Sequence, residues 1–79
     1  MNDDDLVALL VKYAIEELDY DDAYPDVGMG MGIGEALNRA QKKVLQEAAR
    51  WNAVAALQIQ FTPLMEKAAT DLIIQRRRR

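Results

Sequence analysis

The chain has 79 residues, 29% of them charged, with a formal net charge of −3 and neither cysteine nor histidine. A chain of this length supports at most one domain. Without cysteine and histidine, that domain has no disulfides and no ligands for a structural zinc site. Because a single core of this size supplies only about 3–5 kcal/mol, we expect oligomerisation to stabilise the fold.

Serine is absent as well, which removes a third side chain on which many catalytic sites depend. Without Ser, Cys and His, the sequence excludes Ser-His-Asp and Cys-His nucleophilic sites, histidine general bases and histidine-ligated catalytic zinc. The aliphatic hydroxyls are those of Thr62 and Thr70, and Thr62 precedes Pro63 in the pattern of a helix cap. We therefore expect a protein that is not an enzyme, with no catalytic residues, no cofactor and no metal.

Charge is unevenly distributed along the chain. Residues 1–35 hold ten carboxylates and one lysine, a net of −9, whereas residues 36–79 hold nine basic side chains against three carboxylates, a net of +6. Such a chain attracts itself, and its ends can pair within one molecule or between neighbours. The alternative is a pair of ordinary solvated faces that differ in sign.

A first helix is predicted at about residues 4–19, because three aspartates at positions 3–5 precede an apolar-rich stretch. Its apolar side chains wrap over more than half of the circumference, which is more than one neighbouring element covers. We expect this helix to contact both its own chain and another molecule. The candidate interface residues on it are Leu6, Leu9, Leu10 and Tyr13.

Residues 20–34 are predicted to form an acidic and glycine-rich loop. Pro25 lies between aspartates, and glycine occupies every second position from Gly28 to Gly34, a pattern that opposes helix formation. The nearby carboxylates, interleaved with two tyrosines, form a surface that a basic partner recognises. This candidate acidic surface consists of Asp19, Asp21, Asp22 and Asp26.

Neither segment of this loop matches a known ion-binding or phosphate-binding motif. If an EF-hand began at Asp19, Tyr24 would stand where glycine is needed and Gly30 where glutamate is needed. The glycine run is followed by Glu35 and so lacks the Gly-Lys-Ser/Thr signature of a P-loop. The carboxylate of Glu35 would also repel phosphate.

A second helix is predicted over residues 35–61, with apolar side chains recurring every three or four residues. A first helix about 22 Å long covers only about half of it. The two rings in this half, Trp51 and Phe61, lie near the apolar stripes, which favours core packing over base stacking. The candidate interface residues here are Leu37, Val44, Trp51 and Phe61.

A third helix is predicted over residues 63–76, either as a separate element begun by Thr62 and Pro63 or as the continuation of one longer, kinked helix. Its last residues are basic, which suits the negative end of a helix dipole and also attracts phosphates. The candidate nucleic-acid residues are Arg76, Arg77, Arg78 and Arg79.

The predicted fold is therefore a single all-α domain over residues 1–79, a helical hairpin or three-helix unit completed by oligomerisation. The leading functional hypothesis is a self-associating protein-interaction and assembly module, for example a structural or scaffolding subunit of a larger particle. The alternatives are a nucleic-acid-associating protein that uses the arginine tail and a small acidic inhibitor that occupies a basic groove of a partner enzyme.

The amino terminus does not resemble a signal peptide, and no apolar run is long enough to span a membrane. The first five residues are acidic where a signal peptide is basic, and the longest apolar run, residues 6–11, is far shorter than a bilayer span. We expect a cytoplasmic chain, or one inside a virion or assembled particle, that is neither secreted nor transmembrane.

Overall fold

The computed structural model describes residues 2–24 and 30–78. Within them lie four helices, α1 (Asp3–Ala23), α2 (Ile33–Trp51), α3 (Ala53–Leu57) and α4 (Pro63–Arg77). Helices account for 83% of these residues, and none of the residues described forms a strand. The predicted all-α class is confirmed.

Helix α1 begins one residue earlier and ends four residues later than the predicted range of 4–19. Its cap is Asn2, whose side-chain oxygen accepts a hydrogen bond from the amide of Asp5 at 2.8 Å, so the three aspartates occupy the first turn instead. The helix ends at Ala23, with Tyr24 as its C-cap. Tyr24 precedes Pro25, and proline disfavours the helical conformation in the residue before it.

The glycine-rich segment joins α1 to α2 and is described from Gly30 onward; the part of the predicted loop at 25–29 lies outside the described residues. Gly30 has a φ of 65°, a conformation that favours glycine. The amide of Met31 donates to the carboxylate of Asp21 at 3.1 Å, which ties the segment to the end of α1. Helix α2 starts at Ile33, so Gly34 lies in its first turn.

The predicted helix over 35–61 is interrupted at Asn52, which ends α2 and begins α3. Asn52 is extended, with φ −161° and ψ 106°, and its side-chain oxygen accepts from the amides of Val54 and Ala55. Asparagine is a strong helix cap because its side chain replaces backbone partners. Residues 59–62 are not helical, and α4 is therefore a separate helix, capped by Thr62.

The order of contacts along the helices fixes their directions. Side chains of α1 at positions 17, 16 and 13 meet side chains of α2 at positions 39, 43 and 47 respectively, so these two helices run antiparallel. The carboxyl ends of α1 and α4 meet through Arg77 and its aspartate partners, so α1 and α4 run in the same direction.

Helix α1 lies in the middle of the core and packs against both α2 and α4. Its wide apolar circumference, from which the sequence predicted an intermolecular contact, is thus largely covered within one chain. Four alanines without solvent exposure allow the helices to approach closely. The buried core consists of Leu6, Leu10, Val11, Tyr13, Ala14 and Leu18 of α1, Ala36, Leu37, Ala40 and Val44 of α2, and Met65, Ala69 and Ile73 of α4.

Candidate functional site

Most of the interface residues predicted from the sequence belong to the chain's own core. Leu6, Leu10, Tyr13, Leu37 and Val44 are buried by the packing of α1 against α2 and α4. Leu9 and Phe61 are partly buried and pack against the same core. Trp51 alone of the eight is fully accessible to a partner in this conformation.

Exposed apolar side chains are concentrated in the segment that comprises the end of α2, α3 and the start of α4. Four large side chains there, Trp51, Val54, Leu57 and Leu64, have exposed fractions of 91%, 66%, 86% and 80%. We call these four residues the apolar end. Folding of one chain leaves them in water, where apolar surface is unfavourable.

The apolar end lies in an uncharged part of the sequence. No charged residue occurs from Trp51 to Met65, a run of fifteen residues in a chain that is 29% charged. The cores of protein interfaces are depleted of charge in the same way. Val54, Leu57 and Leu64 are not among the interface residues predicted from the sequence, although this uncharged run was the signal that could have identified them.

A groove of about 750 Å³ adjoins the apolar end. It is bordered by the start of α1, the end of α2, one residue of α3 and the segment 58–62 that precedes α4. Of the described residues, Asp3 provides its one charged side chain, and the other polar side chains are amides, a hydroxyl and the indole of Trp51. The lining residues are Asp3, Leu6, Ala48, Trp51, Asn52, Ala55, Gln58, Ile59, Gln60 and Thr62.

The exposure of Trp51 contradicts the prediction that the rings of Trp51 and Phe61 both pack in the core. The apolar stripe of α2 is buried at Leu37, Ala40 and Val44, but it becomes accessible toward the carboxyl end, where Asp3 and Leu6 mark the start of α1. Beyond that point no element covers the stripe within the described residues, so Trp51 is exposed. Phe61 turns inward and packs against the core.

The opposite end of the molecule is charged. The guanidinium of Arg77 lies 2.8 Å from a carboxylate oxygen of Asp19 and 2.6 Å from one of Asp22. Hydrogen bonding to Asp22 is the main cause that raises the pKa of Arg77; desolvation opposes it, and the hydrogen bond to Asp19 adds to it. We call Asp19, Asp22 and Arg77 the charged end.

The charged end combines residues from the acidic surface and from the arginine tail, which were predicted from the sequence as separate surfaces. Asp19 and Asp22 come from the predicted acidic surface and Arg77 from the predicted nucleic-acid tail, so these three neutralise one another within one molecule. Arg76 and Arg78 are exposed and make no ion pair with another described residue. Asp26 and Arg79, the remaining members of those two predicted surfaces, lie outside the described residues.

Further ion pairs join the acidic and basic halves along α1 and α2. Arg39 lies 3.7 Å from Glu17, and Lys43 lies 3.9 Å from Glu16, measured between charged atoms. The opposite charges of the two halves therefore meet at least in part within one chain. Because these side chains are partly exposed and the distances are long, each pair contributes only about 0–1 kcal/mol to stability.

Tyr13 is the second titratable side chain with a shifted pKa among the residues that the structure describes. Its hydroxyl donates to the carboxylate of Glu47, and this hydrogen bond is the main cause that raises the tyrosine pKa, followed by burial and by the negative charges of Glu47 and Glu16. Lys43 stands 5.3 Å from the ring centroid. Tyr13 lines no groove described above, so we assign it to the packing of α1 on α2.

Comparisons with protein-family models, with curated proteins and with solved structures find no match to this chain. Within the described residues, no helix is both long and apolar enough to cross a membrane.

Proposed function

We propose that this protein is a non-enzymatic interaction and assembly module whose docking surface is the apolar end. The observation that carries the proposal is the exposure of Trp51, Val54, Leu57 and Leu64 in a run of fifteen uncharged residues. Isolated exposed apolar side chains are ordinary on proteins, but a cluster of them within one segment marks an interaction site.

The size of the exposed surface supports a docking role. Complete burial of an aliphatic side chain contributes about 1.5–3 kcal/mol, which corresponds to about 60–120 Å² of apolar area, and an aromatic side chain buries about 150–250 Å². Scaled by the exposed fractions of the four residues, the apolar end presents about 300–500 Å². The largest apolar patch on a monomeric protein covers about 300–600 Å² and is often functional.

Tryptophan strengthens the proposal because of what it contributes to interfaces. Its large, rigid side chain supplies contact area at a low entropic cost, and it is enriched among the residues that dominate binding energy. Trp51 lines the groove and is the single tryptophan of the chain. It therefore offers both an anchor for a partner and a fluorescent reporter of that partner's arrival.

Photo-crosslinking tests this proposal directly. A photo-reactive amino acid replaces Leu57 in one variant and Asn38, an exposed residue near the opposite end of α2, in the matched control. Irradiation in the cells that produce the protein is expected to give adducts of discrete mass from position 57 and not from position 38. Equal labelling from the two positions, or none from position 57, would overturn the proposal.

The nucleic-acid and inhibitor hypotheses stay predictions, and no observation here favours either. Each uses some charged side chains that already have partners, since Arg77 is paired with Asp19 and Asp22, although Arg76 and Arg78 make no ion pair with another described residue. A polyanion that recruits Arg77, or a basic groove that recruits the aspartates, must first replace these contacts. The apolar end requires no such exchange.

A further inference from the structure

We propose that the occupant of the apolar end is a second copy of this chain, related to the first by a two-fold axis. This inference rests on the proposed function and names the partner at the same surface. It places α3 of each copy against the groove of the other, so that two identical contacts form and the dimer is closed.

The absence of charge is the first argument for a second copy. A two-fold interface brings the same patch of both molecules together, so any net charge on that patch meets its own sign and is repelled. The run from Trp51 to Met65 has no charge, and among the described residues Asp3 is the single charged side chain that lines the groove. This surface is therefore electrostatically compatible with itself, whereas it lacks the charges that steer a charged partner to its site.

The available area is the second argument. A stable interface of standard size buries about 800 Å² on each partner, of which about 56–65% is non-polar, or about 450–520 Å². The four side chains of the apolar end supply about 300–500 Å² of this, and the apolar side chains other than Trp51 that line the groove add to it. One copy thus presents approximately the apolar area that a stable dimer requires.

The arrangement of α3 is the third argument. At 100° per residue, Ala55 and Gln58, which line the groove, lie beside Val54 and Leu57, which project into solvent. A projecting face and a receiving groove thus occupy adjacent sides of one short helix. In a two-fold dimer, Leu57 of each copy enters the groove of its partner.

The charged end stays outside this dimer. Helix α1 has 21 residues and extends about 30 Å, with Asp3 at the groove and Asp22 at the charged end. Contacts at the apolar end therefore depend on apolar burial, and screening by salt does not weaken them. Self-attraction between the acidic and basic halves, as the sequence suggested, would weaken as the salt concentration rises.

The test mixes two variants that each place a charge in the proposed contact. Leu57→Glu puts a carboxylate into the partner's groove, and Ala55→Lys puts an ammonium on the wall of that groove. Each variant alone is expected to dimerise about 100-fold or more weakly than the original chain, because two copies of the contact are lost. Mixed together, they form a heterodimer with one intact contact and one Glu–Lys pair.

Light scattering coupled to size exclusion measures the masses, and the emission of Trp51 reports its burial. The original chain is expected to reach the mass of two copies and no more, at high as well as low salt, with a blue shift of the tryptophan emission. Asn38→Lys, which adds the same charge away from the surface, is the matched control and does not recruit Leu57→Glu better than the original chain does. Circular dichroism verifies that each variant remains helical, and Val54→Glu replaces Leu57→Glu if that variant unfolds.

Several outcomes would overturn this inference. A single-copy mass for the original chain does so, as does a mixture of Leu57→Glu and Ala55→Lys that stays monomeric. Growth beyond two copies rejects the closed two-fold arrangement. If the chain is a single copy while position 57 still crosslinks to other proteins, the second copy is rejected and the docking surface stands. A single copy without such adducts rejects both.

Discussion

The burial of Leu10 gives the sharpest test of the fold, because the sequence alone assigned this residue to an intermolecular surface. Leu10 is fully buried in a core to which α1, α2 and α4 contribute. Replacement of a buried leucine by alanine removes its burial energy and leaves a cavity, at a cost of about 2–5 kcal/mol. A single core in a chain of 79 residues supplies only about 3–5 kcal/mol, so Leu10→Ala removes most of the free energy of unfolding.

Urea unfolding followed by circular dichroism measures this loss, at concentrations at which the chain is a single copy. The matched control is Leu64→Ala, the same change at a side chain that is 80% exposed, where we expect an effect within about 0.5 kcal/mol. If Leu10→Ala costs no more than Leu64→Ala, Leu10 is not in the core and the packing of α1 described above is incorrect. A cost that appears only as protein concentration rises would return Leu10 to an interface.

Three further substitutions test contacts that hold the helices in place. Arg77→Ala is expected to lower the free energy of unfolding by no more than about 1 kcal/mol, because its ion pairs with Asp19 and Asp22 are partly exposed. The loss should be larger at low salt, which unfolding at two ionic strengths checks, and a salt-independent loss would contradict this expectation. Asn52→Ala removes the cap of α3 and is expected to lower the free energy of unfolding, measured in urea, by about 0.5–2 kcal/mol. Asn52→Asp keeps a capping oxygen and should lower it less. Equal losses of stability in the two variants would show that the cap does not stabilise the break between α2 and α3. Tyr13→Phe removes the hydrogen bond to Glu47 at a cost of about 1 kcal/mol. Because folding raises the pKa of Tyr13, the stability that this hydrogen bond contributes is complete below the tyrosine's ordinary pKa of about 10 and is lost as the pH rises through the pKa of the folded protein. Urea unfolding of the original chain and of Tyr13→Phe at several pH values checks this. A difference in free energy of unfolding that grows above pH 10 would refute the hydrogen bond as the cause.

Local sequence signals located most of the elements. The capping pair Thr62 and Pro63 begins α4 at the predicted residue, and the apolar periodicity gives α2 within two residues of its predicted start. The break at Asn52 was missed because the apolar spacing continues across it, and periodicity does not register a cap in the middle of a regular pattern. Asparagine before an alanine-rich turn was the available signal.

The candidate site was only partly predicted. Trp51 was named as an interface residue and is exposed, but five of its seven companions are buried in the core. The reason lies in α4, which packs on α1 beside α2 and covers the apolar circumference that seemed to require another molecule. A helical wheel counts apolar side chains on one helix, and it does not show which other helix of the same chain covers them.

The sequence by itself determined the all-α class, the absence of the common nucleophilic and histidine-based catalytic groups, and the uncharged run from Trp51 to Met65, because these depend on residue types and local spacing. Tertiary structure decided which apolar side chains are hidden and which charges meet. Leu10 is buried and Leu57 exposed although both are leucines on helices, and Arg77 meets Asp19 across 58 positions of sequence. Burial and ion pairing depend on how separate helices are placed in space, and no local pattern contains that information.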